Sequence, residues 1–128
     1  MDYTIENCPF CLKRNTRKII AENELAYATY DIYPVSVGHC LIITKRHISN
    51  FFEVTPEEIN ELFFLIKKVK SIITAKYSPQ GFNVGININE AAGQTVPHVH
   101  IHVIPRYEGD VENPRGGVRH VIPGRGNY

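Results

Sequence analysis

The stretch "GQTVPHVHIHVIPR" (Gly93 to Arg106) sets His98, His100 and His102 at alternate positions, with Val99, Ile101 and Val103 between and after them. Side chains of a strand alternate between its faces. The pattern therefore predicts a strand over 96–104 with imidazoles on one side and β-branched hydrocarbon on the other. The hydrocarbon belongs on a core. A merely solvated face would be made more simply of Thr, Lys or Glu, so the imidazole face is expected to line a site.

Three chemistries are open to such a row. Imidazoles bind zinc, but an ion at His100 and His102 needs a third ligand, and the acids Glu90 and Glu108 lie beyond the strand. Phosphoryl chemistry needs no metal: a neutral imidazole is a nucleophile toward phosphorus, and its neighbours can hold phosphate oxygens and carry protons. A non-catalytic module could use the same face to hold a nucleotide. The preceding "NEAAGQ" is rich in small residues, which lets backbone N–H groups approach an anion, and Gln94 adds a neutral donor and acceptor. That context favours phosphate.

Two further residues have chemical spacing, Cys8 and Cys11 of "CPFC". The pair suits metal or redox work. A redox pair would open a helix, and "CPFCLKRNTRK" is not an obvious helix start. Cys40, inside "HCLII", reads as a small apolar core residue.

The elements that must position these groups fit one domain, since 128 residues can bury about two-thirds of the unfolded surface. Strands are predicted around 18–21 and 25–30, then over "HCLIIT" after the Pro- and Gly-containing break "DIYPVSVGH". Another is predicted at Phe82 to Ile88, and a last one in "VRHVI". One long helix is predicted from Thr55 to Tyr77. Thr55 is a good N-cap, Pro56 suits the first helical position, and Glu58 completes a capping box. Ile59, Leu62, Phe63, Ile66, Val69 and Ile73 recur at helical steps and form the expected sheet-facing side. Short strands, short loops and one inserted helix predict an α+β fold with a mainly antiparallel sheet of about five strands. The end, "GRGNY", is expected to be flexible.

Charge and hydropathy narrow the partners. Lys plus Arg number 14 against 13 Asp plus Glu, so no net field steers the chain to nucleic acid or a membrane surface. "LFFLI" is far too short to span a bilayer, and "MDYTIENCPF" does not read as a leader. The expectation is a soluble, cytoplasmic protein.

With these residues in view, "QTVPHVHIHVIPR" resembles the motif of the histidine triad family. "YATYDIYPVSVGHCLIITKRHI" is similar to that family's upstream segment and "GININEAAGQTVPHVHIHV" to its loop and active strand, so the resemblance covers most of Cys8 to Arg106. It implies a single domain over 1–128 with a Cys-x-x-Cys loop at 8–11 and a C-terminal extension at 107–128. The implied fold is a sheet of about five strands with one long helix and a short one, and the implied assembly is a homodimer. The implied nucleophile is His100, which attacks the α-phosphorus of a nucleotide to give a nucleotidyl-histidine. His102 and Gln94 would be its catalytic partners. Gln94 matches the branch of dinucleoside polyphosphate hydrolases, while the nucleoside phosphoramidase branch has a serine where this chain has Thr95. Asp31 falls where the family holds ribose hydroxyls, Asn87 where it contacts phosphate, and Phe10 where it stacks a base; His39 aligns with a further active-site histidine.

The resemblance also implies a structural zinc on Cys8, Cys11, His47 and His98, with no organic cofactor. The substrate class it implies is dinucleoside polyphosphates; the alternatives are a nucleoside phosphoramidase and a nucleotide-binding regulatory module. Plainer readings stand beside some residues. Asp31 could cap a turn, Phe10 could pack in the core, and Asn87 could be an ordinary polar strand residue. His120 reads as a surface or dimer-contact residue, and Arg115 and Arg119 as solvated charge or as contacts to a polyphosphate tail.

Overall fold

The computed structural model describes residues 7–11 and 18–128. The expectations about a leader and about a helix opening after Cys11 rest partly on residues 1–6 and 12–17, outside the described residues. Five strands form one antiparallel sheet: β1 (Ile19–Glu22), β2 (Ala26–Tyr30), β3 (Cys40–Thr44), β4 (Gly81–Gly85) and β5 (His100–Arg106). Their spatial order is β1-β2-β3-β5-β4, so β5 lies between β3 and the edge strand β4. One helix, α1 (Pro56–Tyr77), connects β3 to β4. This is the predicted α+β architecture. The predicted short helix takes the form of 3-10 turns at Phe51–Glu53, Glu90–Ala92 and Gly117–Val121.

The helix begins as its sequence dictates. The Thr55 side chain accepts from the Glu58 N–H, and the Glu58 side chain accepts from the Thr55 N–H, with Pro56 at the first position. Its buried face differs in phase from the prediction. Leu62, Leu65, Val69 and Ile73 are buried, while Ile59 and Phe63 remain 44% and 61% exposed. Leu65 thus replaces Phe63 in the core.

Alternation along the strands separates two apolar layers. Ala26, Ala28, Cys40, Ile42, Ile101 and Val103 pack under α1. Tyr27, Leu41 and Ile43 point to the opposite face, where Cys8, Phe10 and Cys11 cover them. The Tyr27 hydroxyl donates to the Phe10 carbonyl and ties that cover down. Strand β3 is consequently buried on both faces. Cys40 is fully buried, as its sequence context predicts, and burial pushes its thiol up to about 12.

Two strand boundaries and one predicted strand are corrected. The histidine strand starts at His100, not at Val96. Pro97 has no N–H to give a ladder, and the His98 N–H instead turns back onto the Val96 carbonyl at 2.8 Å. Strand β4 ends at Gly85 rather than Ile88. "VRHVI" is a 3-10 turn and not a strand, entered through Gly116 at φ +96° and Gly117 at φ +50°. At the end of the chain Gly126 is buried while its neighbours are exposed, and the Tyr128 ring meets two arginines.

Candidate active site and metal centre

Pairing registers place the chemistry on the face opposite α1. His100 pairs with Ile43 and His102 with Leu41, so both imidazoles share a face with those residues. His98 precedes the strand yet lies on the same side, with its ring 6.1 Å from that of Phe10. The three histidines are brought together as expected, but in two different settings.

His98 is fully buried in a cluster with Cys8, Cys11 and His47. Its Nε2 faces the Thr44 carbonyl at 2.6 Å, and a carbonyl only accepts, so Nε2 carries the proton and Nδ1 the lone pair. That Nδ1 lies 3.3 Å from Cys8 Sγ, 3.7 Å from Cys11 Sγ and 3.2 Å from His47 Nδ1, and Cys11 Sγ lies 3.2 Å from His47 Nδ1. Ligands at zinc distances in a tetrahedron stand about 3.3–3.8 Å apart, so the spacing fits. Burial pushes His98 down to about 4, which keeps it in the neutral form that ligates. Two thiols and two imidazole lone pairs converging on one point suit a soft divalent cation, with no position left for a substrate water. The Thr44 carbonyl supplies the outer contact that fixes the His98 ring.

His100 is oriented by the same segment. Its Nδ1 lies 2.7 Å from the His98 carbonyl, so Nδ1 is the protonated nitrogen and Nε2 bears the nucleophilic lone pair. Next to it, the rings of His100 and His102 have centroids 5.3 Å apart.

His102 is set by a relay. The Val35 backbone N–H donates to His39 Nδ1 at 3.1 Å, which leaves the His39 proton on Nε2. That Nε2 lies 3.0 Å from His102 Nδ1 and 3.4 Å from Asp31 Oδ2. With His102 Nδ1 accepting, its one proton sits on Nε2, where it can donate a hydrogen bond to a ligand. Burial lowers both His39 and His102 below the ordinary histidine range, against the opposing pull of Asp31. Asp31 does two things at once: Oδ1 accepts from the Tyr33 N–H at 2.8 Å, the turn cap, while Oδ2 faces the two imidazoles. Gly38, at φ +91° and with no room for a side chain beside Tyr77, makes the turn that aims His39 inward.

A cleft of about 470 Å³ opens over these groups. Asp31, Asn87, Phe10, His100 and His102 line it, so the structure gathers these predicted residues at one place. Phe10 satisfies both of its readings: it is 5% exposed in the lower core, and its edge meets His100 at 4.8 Å between centroids. His39 sits behind the wall and reaches the cleft through His102. Gln94 is placed elsewhere. Its Oε1 accepts from the Asn89 N–H at 2.8 Å, and its Nε2 donates to the carbonyls of Ser49 and Val96. The side chain lines a separate cavity and braces the loop before His98. Thr95, its neighbour, lines both that cavity and the cleft, and Ile32 and Tyr33 line the cleft. Nothing in their spacing marks them, because the turn that brings them in is set by Asp31.

Comparison with known proteins matches this arrangement. The HIT domain family matches residues 13–109. The chain is 37% identical over 93 residues to the asymmetrical bis(5'-nucleosyl)-tetraphosphatase of Schizosaccharomyces pombe; the match takes in 73% of this chain but only 51% of that protein, about half its length. It is 41% identical over 115 residues to the protein hit of Bacillus subtilis, covering 82% of this chain and 75% of that one. Among solved structures, a Zn-bound histidine triad family protein from Mycobacterium smegmatis superposes with a TM-score of 0.77 at 30% identity, over 86% of this chain and 82% of the other.

Proposed function

The chain belongs to the HIT domain family, and from that premise we propose that it is a nucleotide hydrolase or nucleotidyl transferase acting at the α-phosphate of dinucleoside polyphosphates. One observation carries the reading: the His98 carbonyl holds the proton on His100 Nδ1 and so keeps the Nε2 lone pair available in a cleft that His102 shares. In this reading Nε2 attacks phosphorus, the bond from phosphorus to the leaving oxygen breaks, and the His102 Nε2–H steadies the charge on that oxygen by a hydrogen bond as it departs as the phosphate anion. Water then attacks the nucleotidyl-histidine, the phosphorus–nitrogen bond breaks to return neutral His100, and the water's proton passes to solvent. Asn87 would contact the phosphate, Asp31 the ribose and Phe10 the base. The relative named as a tetraphosphatase supports the substrate class.

The test is incubation with a dinucleoside tetraphosphate and chromatography of the products, with acid quenching to trap labelled protein. Release of mononucleotide and a phosphorus–nitrogen adduct on His100 is the expected result. Intact substrate with measurable binding would leave the nucleotide-binding module. Thr95 in the cleft wall keeps the phosphoramidase reading in play, and a nucleoside phosphoramidate run in parallel ranks the two.

Zinc on Cys8, Cys11, His47 and His98 is the structural half of the proposal, supported by the donor geometry and by the Zn-bound relative. Its thiolate ligands suit a reducing compartment, hence a cytoplasmic location. The homodimer is supported by a band of exposed hydrocarbon beside the edge strand: Phe52, Ile59, Phe63 and Val84 are 79%, 44%, 61% and 44% exposed around one groove. A contiguous patch of this kind marks an interface. Light scattering of the purified protein distinguishes a dimer from a monomer.

A further inference from the structure

The loop from β2 to β3, "DIYPVSVG" (Asp31 to Gly38), carries no charge after Asp31. Ile32, Tyr33, Val35 and Val37 all stand exposed, Tyr33 most of all at 80%. Among the described residues the Tyr33 side chain has no hydrogen-bonding, ring or cation partner. A large aromatic ring left bare beside a cleft is the surface that a planar ligand would cover.

The loop is held from turning this hydrocarbon inward, because its backbone is pinned. The Tyr33 N–H donates to Asp31 Oδ1 at 2.8 Å, and the Val35 N–H to His39 Nδ1 at 3.1 Å. The Ser36 hydroxyl donates to the Pro105 carbonyl at 2.7 Å, and the Tyr107 hydroxyl to the Val37 carbonyl at 2.6 Å. Pro34 fixes its own φ and disfavours helical backbone at Tyr33, the residue before it. What stays free is the Tyr33 ring. A tyrosine has only two side-chain torsions to fix, so ordering it against a ligand costs little.

Position gives the ring a purpose. Tyr33 lines the same cleft as His100 and His102, and Asp31 lines it two residues away. With phosphorus at His100 and the ribose at Asp31, the base, one bond from that ribose, falls beside the residues that follow Asp31. Phe10 does not offer the base a broad face, since its ring is 5% exposed and turns an edge to His100. Of the large apolar side chains that line the cleft, Ile32 and Tyr33 are the exposed ones among the described residues. Only Tyr33 of these two has an aromatic face, and every nucleobase has a π-face to set against it.

We infer that Tyr33 is a specificity-determining residue, whose ring stacks on the nucleobase of the nucleotide that His100 takes up. This rests on the reaction proposed above and adds how the cleft selects a nucleotide over a bare sugar phosphate. The experiment is calorimetric binding of adenosine 5'-monophosphate and of ribose 5-phosphate, which share sugar and phosphate and differ in the base. The wild type should bind the nucleotide more tightly by at least about five-fold, the low end for one base–aromatic stack. Tyr33→Ala should weaken nucleotide binding roughly five- to a hundred-fold and leave ribose 5-phosphate as in the wild type. Tyr33→Phe should bind both probes as the wild type does, because the ring and not the hydroxyl makes the contact. Both variants keep the backbone N–H that Asp31 holds, so the turn is not disturbed. Loss on both probes, loss on neither, or a phenylalanine variant that behaves like alanine would overturn the inference. Should the alanine variant melt early, Tyr33→Leu keeps the bulk without the ring and decides by the same comparison. If the wild type shows the base preference but cleaves no dinucleoside tetraphosphate, the proposed reaction fails and the two probes still decide the role of Tyr33. If it cleaves the tetraphosphate without any base preference, the reaction stands and the stacking role is overturned.

Discussion

His39 Nε2 and His102 Nδ1 stand 3.0 Å apart, and the Val35 N–H decides which of them donates. Both rings are held below the ordinary histidine range by burial, with Asp31 opposing. A histidine lowered on folding binds its proton more readily in the unfolded chain. Its penalty is absent above the unfolded value of about 6.5 and grows as pH falls toward the folded value. The melting temperature should therefore drop as pH is lowered below about 6.5. Acid also acts on His98, which burial lowers, so the informative quantity is the difference between wild type and Asp31→Asn. The amide keeps the turn cap through Oδ1 but removes the carboxylate that tolerates an imidazolium. The variant should lose stability more steeply with acid, and parallel curves would mean that Asp31 does not act on the pair.

His100→Asn should bind nucleotide but lose turnover and covalent labelling, because no lone pair at the Nε2 position remains. Stopped assays and labelled-adduct detection measure both. A wild-type rate in this variant sinks the mechanism.

His102→Ala should keep the nucleophile and lose the donor, lowering turnover by roughly ten- to a thousand-fold, the range for a lost stabilising donor. The deficit should be smaller for a substrate whose leaving oxygen carries its charge easily, such as a nitrophenolate. An equal deficit on both would assign His102 to binding rather than to the leaving oxygen.

Gln94→Ala separates a brace from a catalyst. Its three hydrogen bonds go to loop backbone, at Asn89, Ser49 and Val96. Losing them should cost about 1–3 kcal/mol of stability through unsatisfied groups and raise KM by displacing Thr95, with kcat little changed. A collapse of kcat at unchanged stability and KM would instead place the Gln94 amide at the reacting phosphate.

What the sequence disclosed was local or periodic. Thr55, Pro56 and Glu58 name the helix start because a cap is made by neighbours three residues apart. The imidazole face was legible because a two-residue period survives even where Pro97 ends the ladder early. The helix phase was not, because "LFFLI" is apolar in every direction and cannot say whether Phe63 or Leu65 faces the sheet. The hydrogen bonds of Gln94 were not legible for a similar reason: its partners are backbone groups at Asn89, Ser49 and Val96, which carry no side-chain signature. The "VRHVI" alternation looked like a strand, but the two glycines before it turn the chain instead.

The zinc proposal gives about one zinc per chain by elemental analysis, the stoichiometry of one four-ligand site. Cys8→Ser with Cys11→Ser should melt at lower temperature yet leave His100 able to be labelled. A metal-free wild type, melting like the double variant, would reduce the cysteines to ordinary core residues. Turnover lost on chelation with the fold intact would make the metal catalytic.

The last expectation couples that metal to the helix. Glu58 is 3% exposed, and Arg46 grips it through Nε at 3.0 Å and Nη2 at 2.8 Å. Arg46 immediately precedes His47, and the Thr44 hydroxyl donates to the Arg46 carbonyl at 2.9 Å. The segment that presents His47 is thus clamped to the first turn of α1. Arg46, chiefly through its hydrogen bonds, lowers the Glu58 carboxyl below the ordinary range, so this stabilisation is full at neutral pH and is lost as acid protonates Glu58. Glu58→Gln keeps the volume and most of the cap but weakens the clamp. It should lower the melting temperature and, because His47 is less well held, speed release of zinc to a chelator. Thr55→Ala supplies the control: it should cost about 1 kcal/mol by losing the cap while leaving Arg46 paired, so zinc release should stay near the wild-type rate. If both variants released zinc equally fast at matched stability, the metal would be sensing global unfolding, and the Arg46–Glu58 clamp would have no separate hold on His47.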